Sequence, residues 1–229
     1  MITEKAEALK NELSSLMAQY DELRFHVVPM LKNEYYRQIG NLEIQIENRR
    51  IDIACLKQKI EMLKQNKTGE EIVAALRKFS GSKREEVSFD EEYVMTSEKE
   101  DGEIIDTYVE LLKRLDSVLN ANGFESKNRL LREAKQYFMN LDLNGLKMVE
   151  YYSRNCNVSE NENNIFERYQ QLSREVEVYK ERINVIKNSF PYNRIDLILD
   201  EEKLSVKANE LRNCLERLNE EYQSLKSFL

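Results

Sequence analysis

The chain has 229 residues, of which 34% are charged, with only two prolines and no tryptophan. That composition predicts a largely helical, elongated protein whose cores are heptad seams rather than one large globular interior. A net charge of −7 argues against nucleic acid or an anionic membrane as the main partner, because phosphate neutralisation needs a basic face.

Leu9, Leu13, Leu16, Tyr20, Leu23 and Val27 repeat at alternating spacings of four and three, the seam of a coiled-coil helix. Thr3, Glu4 and Glu7 suit its start. A second seam runs through Tyr35, Ile39, Leu42, Ile46, Arg49, Ile53, Leu56, Ile60 and Leu63. It is out of phase with the first, which would continue at Met30 and Glu34. Between them Pro29 lacks an N–H and disfavours the α region for Val28. A tight turn at Pro29, making an antiparallel hairpin of residues 1–65, accounts for both features; a kinked helix is the alternative. Residues 66–102 follow as a short helix and an acidic loop. Thr68 and Glu71 have capping-box spacing, Ile72, Val73, Leu76 and Phe79 share a face, and Ser80-Gly81-Ser82 closes the helix. From Lys83 to Glu103 nine acidic residues outnumber three basic ones, and no helical seam is visible.

Residues 103–154 read as a small helical module. Ile104, Ile105, Tyr108, Leu111, Leu112, Leu115 and Leu119 form one amphipathic helix, ended by Asn122-Gly123. Leu130, Leu131, Ala134, Tyr137, Phe138 and Leu141 form a second, and Leu146, Met148, Val149 and Tyr152 a third, capped by Asp142 or Asn144. Residues 155–164 are a polar linker. The remaining 165–229 carry two more seams, Ile165 to Phe190 and Leu204 to Leu229, around Pro191-Tyr192-Asn193, with Asp200 placed as a cap. They predict a second antiparallel coiled-coil hairpin, with Leu197 to Leu199 left over for another contact. The expected fold is therefore all-α: two antiparallel coiled-coil hairpins flanking a small helical module.

Chemistry is sparse. His26, the one histidine, has no acid or nucleophile patterned beside it and reads as structural. No phosphate-binding glycine loop, dinucleotide fingerprint or nucleophile elbow occurs. The acidic cluster around Asp90-Glu91-Glu92 lacks the glycine-centred loop of a calcium site. Cys55, Cys156 and Cys214 are far apart and read as free thiols. Tyrosines at seam positions read as core, the Tyr151-Tyr152 pair as ordinary packing, and Arg49 as a side chain snorkelling to water. Lys127, Arg129, Arg132, Lys135 and Lys147 form a weak basic patch, interrupted by Glu125 and Glu133 and without an aromatic platform for RNA. No metal, cofactor, nucleic-acid or membrane partner is expected. With no apolar run of the ~18 residues that span a bilayer, and no signal-peptide pattern, a cytoplasmic location is expected.

The order of heptad helices, acidic linker, Leu111-Leu112-Lys113-Arg114-Leu115, Leu119-Asn120-Ala121 and the following helix resembles bacterial J-domain proteins with coiled-coil arms. These are co-chaperones of the heat-shock ATPase chaperones. Leu131 to Tyr137, Leu143-Asn144-Gly145-Leu146 and Ser189-Phe190-Pro191-Tyr192 extend the likeness. The family places His-Pro-Asp after the Lys-Arg-Leu helix end, and that tripeptide stimulates the chaperone's ATP hydrolysis. Here Asp116-Ser117-Val118 stands in its place, and Glu103, Asp106, Glu110 and Asp116 make an acidic helix where the family presents a basic one. The resemblance thus implies a degenerate J-like module that binds without activating. The expected function is a non-enzymatic adaptor, monomeric or homodimeric, that binds a protein partner through Lys113, Arg114, Asp116, Ser117, Val118 and Asn120. The alternative is a co-chaperone that docks on a heat-shock ATPase chaperone without the usual stimulation.

Overall fold

The computed structural model describes residues 2–84, 101–117, 119, 125–154 and 165–229. Its elements are helices α1 (Ile2–Glu22), α2 (Val28–Tyr35), α3 (Asn41–Lys64), α4 (Gly69–Arg84), α5 (Asp101–Leu115), α6 (Glu125–Met139), α7 (Leu143–Ser153), α8 (Ile165–Asn188), α9 (Ile195–Ile198) and α10 (Glu201–Lys226). Among the described residues there is no strand, so the protein is all-α. The acidic stretch beyond Arg84, the Asn122-Gly123 cap, the 155–164 linker and Cys156 lie outside the described residues.

Pro29 does not make a turn. Helical hydrogen bonding continues from Ile2 to Lys64, with π turns at Leu23–Val27 and Tyr36–Gly40. The first π turn explains why proline is tolerated. The Val28 N–H reaches back five residues to the Leu23 carbonyl, so the turn before Pro29 is already widened where its ring would otherwise crowd an i−4 carbonyl. It also explains the phase slip. The first seam would continue at Met30 and Glu34, yet Leu31 and Tyr35 are the buried residues. The slip is one residue, and i→i+5 bonding holds one residue more per turn than i→i+4.

The seams are also covered by partners other than those expected. Two compact units are present, Met1–Met30 with Met95–Asn193, and Leu31–Val94 with Arg194–Leu229. In the first unit α1 packs against α8, and in the second α3 packs against α10. The two predicted hairpins are therefore replaced by pairings between early and late helices. In the second unit these helices run in the same direction. Arg194 lies 5.9 Å over the Tyr35 ring at one end; further along, Arg49 lies 4.6 Å over Tyr222 and Lys57 pairs with Glu221 at 2.7 Å. Arg49 thus rests on an aromatic face rather than snorkelling, with Asp52 3.6 Å away. Helix α4 packs on α3 as well. That accounts for the burial of both Ile51 and Ile53, which lie about 200° apart around the helix and cannot share one seam. The α4 capping box forms, with the Thr68 N–H donating to Glu71 Oε2 at 2.9 Å, but the helix continues past Ser80-Gly81-Ser82 to Arg84. Asp200 caps α10 by accepting from the Lys203 N–H at 3.0 Å.

The first unit holds the module. Helices α5, α6 and α7 pack on one another, and α5 also packs on α1. Their shared core joins Leu13 and Met17 of α1, Tyr108 and Leu111 of α5, Phe138 of α6, Leu146 and Val149 of α7, and Leu172 and Val176 of α8. Helix α5 ends at Leu115 rather than reaching Leu119, although Leu119 stays buried beyond it. The α6–α7 turn is tight. Leu141 adopts φ 54°, a left-handed conformation unfavourable to a leucine. It persists because the Asp142 N–H closes onto the Tyr137 carbonyl at 2.9 Å while Leu141 packs against the core. Asp142 then caps α7 by accepting from the Gly145 N–H at 2.9 Å.

Leu111→Ala should lower the unfolding free energy by about 2–5 kcal/mol, as for other fully buried leucines, measured by urea denaturation. Gly145→Ala should cost about 1–3 kcal/mol, because a Cβ there would collide with the Tyr137 ring; the same titration checks it.

Candidate functional site

Of the residues that the sequence offers for partner binding, those at the end of α5 are turned to structural use. Lys113 Nζ donates to Glu110 Oε1 of its own helix at 2.7 Å. Arg114 Nη1 donates to Ser153 Oγ at 2.9 Å, and Ser153 itself is fully buried. Arg114 therefore ties the end of α5 to the end of α7. Asp116 is buried at 7% exposure, and Ser117 is exposed. Val118 and Asn120 lie outside the described residues. The structure thus brings Lys113, Arg114 and Asp116 to one end of the module without presenting them together to solvent.

The basic patch disperses in the same way. Arg129 pairs with Glu133 at 3.2 Å and Lys147 with Glu103 at 2.6 Å. Lys127 is buried, and its Nζ has no hydrogen-bond partner among the described residues. Lys135 turns toward Asp21, 4.0 Å away.

Asp21 belongs to a buried polar cluster that no sequence pattern signals. It sits at the end of α1 with 7% exposure and accepts a 2.7 Å hydrogen bond from the Tyr108 hydroxyl of α5. Burial raises its carboxyl above the ordinary aspartate range, opposed by the Tyr108 hydrogen bond and by Lys135 and Arg24. The same burial, with Asp21 beside it, pushes the Tyr108 phenol well up. The Tyr108 ring stacks on Phe138 at 4.1 Å, and His26 meets the other partner of that stack edge-on at 5.1 Å. His26 Nε2 donates to the Phe138 carbonyl at 3.1 Å, helping to satisfy the C-terminal end of α6. His26 is therefore a docking residue carried by the first π turn. Among the described residues no three histidine, cysteine or carboxylate side chains gather as metal ligands.

An accessible apolar surface lies on α7. Leu146 and Val149 face the core, but Met148, Tyr151 and Tyr152 are 55%, 67% and 57% exposed. The reading that placed Met148 and Tyr152 on the buried face with Leu146 is therefore corrected, as is the packed Tyr151-Tyr152 pair. The reason is angular: α7 carries two apolar stripes, 146–149 and 148–151–152, and its neighbours cover one of them. The two tyrosine rings meet edge to face at 5.6 Å. The charges nearest in sequence are internally matched, Lys147 with Glu103 and Arg154 with Glu150 at 3.3 Å.

Compared with protein-family models, curated proteins and solved structures, the chain matches none. No described helix is long and apolar enough to cross a membrane.

Arg114→Ala should cost about 1 kcal/mol by losing the Ser153 hydrogen bond, whereas Ser117→Ala should stay within about 0.5 kcal/mol of wild type. Paired urea titrations of the two variants test this division between tie and surface.

Proposed function

We propose that the chain is a non-enzymatic adaptor that binds a protein partner through its three-helix module. The observation that supports this most strongly is the α7 face, where Met148, Tyr151 and Tyr152 stand exposed beside a complete apolar core. Tyrosine and methionine are favoured at interface centres because each supplies a large contact area, and tyrosine adds a hydroxyl for orientation. The matched charges around the face leave the aromatic pair as its main chemical feature. The binding surface in this proposal is therefore α7, with the Arg114–Ser153 tie holding it in place, rather than residues 113–120 by themselves.

The module is a degenerate J-like unit, lacking His-Pro-Asp, that contacts its partner without activating it. A heat-shock ATPase chaperone is one partner class consistent with that likeness, and the cytoplasm is the compartment where it would meet the chain.

Replacing Tyr151 and Tyr152 together by serine should abolish partner capture from native cytosol while leaving the thermal midpoint within about 2 °C of wild type. Retention of the same partner by the folded double variant would sink the α7 assignment. Adding the protein to a heat-shock chaperone should leave ATP turnover unchanged, and measurable stimulation would overturn the non-activating reading.

A further inference from the structure

The Asp21 cluster joins three elements of the first unit through one ionisable group. Asp21 ends α1, Tyr108 lies midway along α5, and Lys135 lies in α6. Among the described residues the carboxylate accepts a close hydrogen bond from Tyr108 at 2.7 Å, and its cationic neighbour Lys135 stands at 4.0 Å, beyond hydrogen-bonding reach. Asp116, also 7% exposed, follows α5 and adds a second buried acid to the same core. Arg24 from the π turn also acts on Asp21, and Tyr179 from α8, itself facing Arg182, feels both buried acids. Burial strips water from this anion, and that cost outweighs the Tyr108 hydrogen bond and the attraction of Lys135 and Arg24, with Asp116 adding a smaller repulsion.

We propose that the seating of the α5–α7 module on α1 is proton-linked through Asp21, tightening as Asp21 takes up a proton. Protonation removes the buried charge and its repulsion from Asp116, while the remaining carbonyl oxygen still accepts from Tyr108. The direction follows from linkage. A carboxyl raised in the folded state binds its proton more readily there than in the unfolded chain. Its contribution is thus unfavourable at neutral pH, is relieved as the pH falls through the folded-state value, and is fully relieved below the ordinary aspartate range. This is opposite in sign to the exposed capping acids Glu71 and Asp200, whose hydrogen bonds lower their values.

The test uses the full chain and compares thermal midpoints at pH 8 and pH 5. Asp21→Asn keeps an acceptor for Tyr108 but cannot titrate, so subtracting wild type isolates this one group from the other acids. The variant's midpoint minus that of wild type should fall by about 2–4 °C between pH 8 and pH 5. A constant or rising difference overturns the proposal. Should Asp21→Asn not fold, Tyr108→Phe decides. It removes the hydrogen bond that favours the anion, so its loss of midpoint must be larger at pH 8 than at pH 5. An equal or smaller loss at pH 8 overturns the proposal.

Discussion

Helix α1 is a wall with two tenants, and the first unit depends on how that wall is shared. Leu13 and Met17 join a core that α8 enters with Leu172 and Val176 and α5 enters with Tyr108 and Leu111. One helix serves both because small residues lie between the large ones. Ser14 and Ala18 are fully buried, and their size lets neighbouring helices approach closely at native packing density. The Ser14 hydroxyl donates to the Asn11 carbonyl of its own helix at 2.9 Å, so its burial leaves no hydroxyl unmatched. Asp21 and His26 then fix where the module sits along the wall. Each makes a polar contact with a module residue more than eighty positions away in sequence.

Local features of the fold are legible in the sequence because they are written in local chemistry. Thr68–Glu71, Asp142 and Asp200 are caps, and each makes its capping hydrogen bond. The seams at Leu13, Ile46, Leu172 and Leu204 are helical and buried. What a seam does not contain is the name of its partner. Period fixes which face of a helix is apolar, but any complementary stripe can cover it. Pro29 made a local pairing look necessary, and a π turn removed the need for it. Ile51 lies off the seam for a related reason: a heptad repeat marks one face, while α3 is covered on two.

The module is legible in outline and less so at its surface. The three helices follow from their apolar spacing, yet in the third the same residue types lie on both faces, and composition cannot say which is inside. Tyr151 and Tyr152 therefore looked like core. Conversely, Arg114 and Asp116 looked like surface because they are charged. Arg114 instead spends its guanidinium on Ser153, and Asp116 is buried beside the Asp21 cluster. Asp21 had no signal at all, since a single acid beside a seam is what any solvated helix shows. Its significance arises only when Tyr108 meets it across the core.

The pairing of early helices with late ones also sets an order on how the molecule can be made. When Leu13 and Ile46 are synthesised, their partners around Leu172 and Leu204 do not yet exist. A nascent chain therefore carries bare apolar stripes while the module is still being translated, and no neighbouring arm can cover them in time. Closing such distant contacts is slow, and the exposed stripes attract other chains while they wait. The charged residues that make up 34% of the chain oppose such association until α8 and α10 can pair with the arms.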